Sequence, residues 1–125
     1  MARTKHSEES EKSLERYLSL EVARMGGKAL KYFNPTSTGW PDRIVLLPGG
    51  LCVWIELKSK GERPRPLQAH RHGSLRDMGH RVYTCDSRDK IDRMLQAEFR
   101  RAEKLRHSIS GATINRHTEG GADEI

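Results

Sequence analysis

The sequence predicts an α/β domain: a helix, a small mixed sheet of about four strands, and further helices packed on that sheet. Three observations predict it. Leu14, Leu18, Val22 and Met25 recur at helical spacing between Glu11 and Met25, and Gly26-Gly27 ends the run. Two β-rich runs, Ile44 to Leu47 and Leu51 to Lys58, are joined by the turn Pro48-Gly49-Gly50, which reads as a hairpin. A third β-branched and aromatic run, Arg81 to Cys85, is followed by Ser87, a cap for a final helix from about Arg88.

In chain order, residues 1–10 are polar and read as a flexible N-terminus. The domain proper spans 11–107 and ends in an extended last helix, and 108–125 reads as a mobile tail rich in Gly, Ser, Thr and Asn. Ala29 to Phe33 is a short strand, and Asn34 to Gly39 a loop. Trp40 beside it either stacks on a base or plugs the core. Ser59 to Pro66 is a loop, because two prolines and a glycine exclude helix and central strand. Leu67 to Met78 reads as a helix with Leu67, Leu75 and Met78 inward and Gly79 as its stop. Ile91, Met94, Leu95, Phe99, Ala102 and Leu105 form the apolar stripe of the last helix. The length of 125 residues suits one domain.

With 23 basic and 17 acidic side chains the net charge is +6 and the pI about 9.6. Such a balance suits a polyanionic partner, nucleic acid first. No run approaches the roughly 18 apolar residues of a membrane span, and the N-terminus lacks a signal-peptide core. Cys52 and Cys85 fall in predicted strands without a CxxC spacing, so they are expected as buried reduced thiols of a cytoplasmic protein. His70 and His72 lie two apart, diverge on a helix, and are expected on a basic, DNA-facing surface rather than on a metal.

The charges at one end of the hairpin carry the chemistry. Asp42 opens the first strand, and Glu56 and Lys58 close the second, on one face by the two-residue period. In an antiparallel hairpin the start of one strand lies beside the end of its partner. Two carboxylates and a lysine therefore meet, a divalent-metal site with a cation beside it. Pro41-Asp42, thirteen residues, then Glu56-Leu57-Lys58 resembles the PD-(D/E)xK nuclease signature, and Gly39-Trp40-Pro41-Asp42-Arg43 with Gln68 downstream resembles its VRR-NUC subfamily. The resemblance covers about Glu11 to Leu95.

What the resemblance implies is a restriction-endonuclease-like core and metal-dependent DNA cleavage that leaves a 5′-phosphate and a 3′-hydroxyl. Asp42, Glu56 and the Leu57 backbone carbonyl would hold Mg²⁺, with Mn²⁺ able to substitute. Lys58 would orient the attacking water or stabilise the developing charge. Gln68 and a first-helix glutamate would join the site, with Glu15 the first choice and Glu11 the alternative. Lys31, Lys60, Arg63, Arg65 and Arg71 are the expected phosphate contacts. The substrate expected is branched DNA, Holliday junctions included, cut by a homodimer in the host cytoplasm of a phage. A flap- or restriction-type nuclease with the same site, or a non-catalytic nucleic-acid-binding module, are the other readings.

Overall fold

In the computed structural model residues 10–123 are described, with side chains as far as Ser108. The expected flexible N-terminus, 1–10, thus lies almost wholly outside the described residues.

Helix α1 (Glu11–Arg24) starts where Ser10 turns its hydroxyl to the Ser13 amide at 3.0 Å, satisfying a free donor of the first turn. Its buried row, Leu14, Leu18 and Val22, repeats every four residues. Gly26, with φ +85°, takes the left-handed turn that ends the run. Strand β1 (Lys28–Lys31) follows, shorter than the expected Ala29 to Phe33, and Phe33 is exposed. Strands β2 (Arg43–Leu47) and β3 (Leu51–Leu57) form the hairpin, with Gly49 and Gly50 at φ +91° and +78° in its turn. Helix α2 (Pro66–Asp77) begins with Pro at its first position, where no amide is needed, and the Gln68 side chain accepts from the Arg65 amide at 2.8 Å. Strand β4 (Val82–Cys85) then leads to helix α3 (Arg88–Asp123), capped by Ser87.

The sheet order is β1-β2-β3-β4. The first three strands run antiparallel and β4 lies parallel to β3. A parallel neighbour needs a crossover, and α2 supplies it. One face of the sheet carries Val45, Leu47, Val53, Ile55 and Leu57. Leu14, Leu18 and Val22 of α1 and Ile91, Met94 and Leu95 of α3 close over them in one cluster.

The other face is covered differently, and three expectations change there. Cys52 is exposed rather than buried, because it pairs with Leu46 on the face away from α1 and α3. Leu75 is buried as expected, but Leu67 and Met78 are exposed, at 45% and 63%, and α2 turns His72 inward beside Leu75. His72 therefore faces the protein, not solvent. On α3 the buried row steps through Ile91, Leu95, Glu98 and Ala102, so Phe99 lies one residue past it and stays half exposed. Leu105 is likewise partly exposed. Glu98, fully buried, accepts both guanidinium N–H groups of Arg81 at 2.8 Å and the Tyr83 hydroxyl at 2.7 Å. That pairing meets the desolvation of the carboxylate and ties α3 to β4. The backbone of α3 continues as helix to Asp123, so of the expected tail 108–125 residues 109–123 are described by backbone alone and 124–125 lie outside the described residues.

Candidate active site

Register assembles the site. The β2–β3 ladder ends with Arg43 opposite Ile55, so the next step outward sets Asp42 against Glu56. Buried Pro41 holds the chain entering β2, and the Asp42 carbonyl accepts from the Tyr32 amide at 2.9 Å. Asp42, half-buried, directs Oδ1 at the Leu57 amide, 3.5 Å away, and Oδ2 toward Arg43 at 3.8 Å. Its carboxyl is raised above the usual value, chiefly by burial, and the nearby Arg43 charge opposes that.

Glu56 lies under α2 and is only 4% exposed. One oxygen, Oε2, accepts from the Gln68 amide at 3.2 Å and lies 3.7 Å from the buried Lys58 ammonium. The other, Oε1, is buried with no hydrogen-bond partner among the described residues. Burial first, then the Asp42 charge, push the Glu56 carboxyl up to about 7. Lys58 pulls the other way, and the Glu11 charge adds to the rise.

Two acids whose pKa values are both raised by burial, one with an orphaned buried oxygen, form a set of hard donors short of positive charge. They suit Mg²⁺ or Mn²⁺. Among the described residues no three His, Cys, Asp or Glu side chains converge as a complete ligand set.

The first-helix glutamates divide. Glu15 is bound to Arg43 at 2.6 Å and lies 3.5 Å from Lys31, so its charge is spent on a nearly buried guanidinium. Glu11, an exposed residue one turn earlier, is the one whose charge is felt by Glu56. Of the expected phosphate contacts, Lys60, Arg63 and Arg65 are exposed on the 58–65 loop. That loop is pinned where the Gly61 amide donates to Asp86 at 2.9 Å. Lys31 is exposed beside Glu15. Arg71 lies 4.7 Å over the Trp40 ring and donates to the Thr38 carbonyl at 2.9 Å, which ties α2 to the loop before Asp42. Trp40 is thus neither core plug nor bare platform. A side chain on Gly39, at φ +90°, would meet Leu67 at 2.6 Å, so only glycine lets loop and helix close this tightly. Between them lies a cavity of about 330 Å³ lined by Thr38, Trp40, Arg65, Leu67 and Gln68, the last of which donates to Glu56.

Two residues of this environment receive no role from the motif, although Arg43 belongs to its Gly39-Trp40-Pro41-Asp42-Arg43 run. Buried Arg43 is anchored to Glu15 and reaches the Asp42 carbonyl at 2.9 Å. His72 Nε2 lies 4.0 Å from Glu56 Oε1. The signal for His72 is its spacing, one turn after Gln68 and three residues before the buried Leu75, which places all three on one helix face.

With this geometry established, likeness to known proteins becomes informative. No protein-family model matches the chain. A protein of Acyrthosiphon pisum secondary endosymbiont phage 1, named "Putative nuclease p44", is 43% identical over 79 residues, covering 63% of this chain and 85% of that protein. The chain belongs to the VRR-NUC nuclease family. A solved VRR_NUC domain agrees, superposing with a TM-score of 0.66 at 26% identity over 69% of this chain and 94% of the domain. The α/β fold of this VRR-NUC protein, three helices with a four-stranded mixed sheet among the described residues, is the fold of that domain. No helix among the described residues is long and apolar enough to cross a membrane.

Proposed function

We propose that this nuclease is a Mg²⁺- or Mn²⁺-dependent endodeoxyribonuclease that hydrolyses phosphodiesters in branched DNA, four-way junctions included, as a homodimer in the host cytoplasm. One observation carries the metal and the hydrolysis: Asp42 and Glu56 meet at the rim of the sheet, Glu56 keeps a buried oxygen without a partner, and the Lys58 ammonium lies 3.7 Å from the other.

A divalent ion bound there would neutralise phosphate charge and acidify a water that attacks phosphorus. Asp42 and Glu56 supply the hard oxygens for it. Gln68 holds Glu56 Oε2 in place, so the carboxylate need not reorganise as the ion arrives. Lys58, 3.7 Å from Glu56, would stabilise the negative charge that develops on the phosphoryl oxygens. Glu11 is the first-helix acid proposed to act near the ion, and Glu15 serves it indirectly by holding Arg43. Lys60, Arg63 and Arg65 are proposed to bind the backbone of the DNA arm that passes the 58–65 loop.

The branched substrate and the dimer rest on size and on the family resemblance. A chain of 125 residues carries one site, so two symmetric cuts require two copies. The test offers purified protein labelled linear duplex, single strand, flaps, splayed arms and four-way junctions with Mg²⁺, Mn²⁺ or EDTA. Cleavage of junctions at paired positions, lost with EDTA and reduced about a thousandfold or more in Asp42→Ala and Lys58→Ala, is the expected result. Uniform cutting of linear duplex would defeat the branched-DNA reading, and cleavage that survives EDTA would defeat the metal.

A further inference from the structure

Helix α2 aims two nitrogen donors at one carboxylate. Gln68 and His72 are one helical turn apart on its inward face. The Gln68 amide meets Glu56 Oε2 at 3.2 Å, and His72 Nε2 stands 4.0 Å from Glu56 Oε1. The His72 and Glu56 side chains are only 4% and 5% exposed, and the two facing atoms are the buried side-chain atoms without a hydrogen-bond partner among the described residues. A buried imidazole turned toward a carboxylate without bonding it is costly, because each group has given up water for nothing. The gap exceeds hydrogen-bond length by about 1 Å, a distance that small rotations of two side chains can close.

We propose that His72 is a positioning residue of the metal site: its imidazole donates Nε2–H to Glu56 Oε1 once a cation is bound, so that α2 grips both oxygens of that carboxylate. The inference rests on Glu56 holding a metal ion, as proposed above. An ionised carboxylate offers about four acceptor sites. Gln68 takes one on Oε2 and His72 one on Oε1, which leaves the remaining lone pairs directed at the ion and fixes the rotation of the group. The His72 imidazole is fixed by its place on the inward face of α2, beside the buried Leu75. As a donor to a ligand it would hold that ligand's orientation, the part that outer-shell groups play around other metals.

The test measures Mn²⁺ affinity by calorimetry on the intact protein, with wild type and His72→Ala, His72→Gln and His72→Asn variants. A glutamine amide reaches about where Nε2 sits, whereas an asparagine amide stops short. The expected result is a 10- to 100-fold weaker Mn²⁺ affinity in the Ala and Asn variants, with most of the affinity restored by Gln. Should His72→Ala fail to fold, the Gln and Asn variants carry the comparison by themselves. An Asn variant that binds Mn²⁺ as tightly as wild type, with junction cleavage by wild type intact, overturns the role of His72 and leaves the nuclease reading standing. A Gln variant as weak as Asn means that an amide donor at the Nε2 position does not serve, and also overturns the proposal. Wild type that binds no Mn²⁺ sinks the metal site and this inference together.

Discussion

Glu56 is the residue on which the most forces converge. In the metal-free protein its carboxyl titrates at about 7, against 4.5 for an unhindered glutamate. Between those values the native state keeps a proton that the unfolded chain has released, so stability falls as pH rises through the window and is fully present below it. Chelator-treated protein should therefore melt lower at pH 8 than at pH 5, by an amount equivalent to up to about 3 kcal/mol, and Glu56→Gln should flatten that slope. Added Mg²⁺ should restore the melting temperature at pH 8. Identical slopes for wild type and Glu56→Gln would show that the burial of Glu56 is not felt. The helix glutamates separate by a second experiment. Glu15→Gln strips a nearly buried Arg43 of its partner and should cost about 1–3 kcal/mol of stability in thermal or urea unfolding. Glu11→Gln, on an exposed residue, should leave stability alone and lower the cleavage rate. The reverse pattern would return the catalytic assignment to Glu15.

At the scale of elements, the 58–65 loop and the start of α2 form a basic margin along one side of the carboxylates. The loop owes its path to Gly61 and Asp86. The Gly61 amide, followed by Lys90 at 3.1 Å, holds the Asp86 carboxyl below its usual pKa. Fixing the loop this way presents Lys60, Arg63 and Arg65 outward without consuming their charges on the protein. If each meets a phosphate, replacing all three by alanine should weaken DNA binding about equally for every sequence. It should also flatten the dependence of log K on log salt by roughly 2–3, near 0.9 for each phosphate left without its cation. Fluorescence anisotropy at several salt concentrations measures both. An unchanged salt slope would remove the loop from the interface. Arg71 behaves otherwise, since its guanidinium is already occupied by Trp40 and the Thr38 carbonyl. Its loss should loosen the loop that leads into Asp42 and slow cleavage more than it weakens binding.

For the whole molecule, the sheet is closed on one face by α1 and α3 and only partly covered on the other by α2, and the site sits at the rim between the two arrangements. A single copy presents one such rim. Cutting both strands of a junction in concert requires a second, so the protein should sediment as a dimer of about 29 kDa, twice the 14.3 kDa of the chain. It should also convert a supercoiled cruciform plasmid directly to the linear form by paired cuts, without accumulating nicked circles. A monomer at working concentration, giving independent single nicks, would refute the symmetric arrangement.

What the sequence by itself determined was everything governed by local period and turn chemistry. The four-residue repeat of Leu14, Leu18 and Val22, the glycine turn after Leu47 and the alternation along β3 are properties of adjacent residues. Together they put Asp42 beside Glu56 before any packing is known. Membership in the VRR-NUC family was legible for the same reason, because the family motif is a record of that hairpin register. Only the tertiary structure decided which long-range partners the charges take. Glu15 is drawn to Arg43, His72 is carried inward by α2 with Leu75, Glu98 is buried against Arg81 and Tyr83, and Cys52 is left on the open face. Each of these depends on how a helix is rotated and laid on the sheet. Helix rotation follows from the summed fit of many side chains, and no spacing of letters within one segment encodes it.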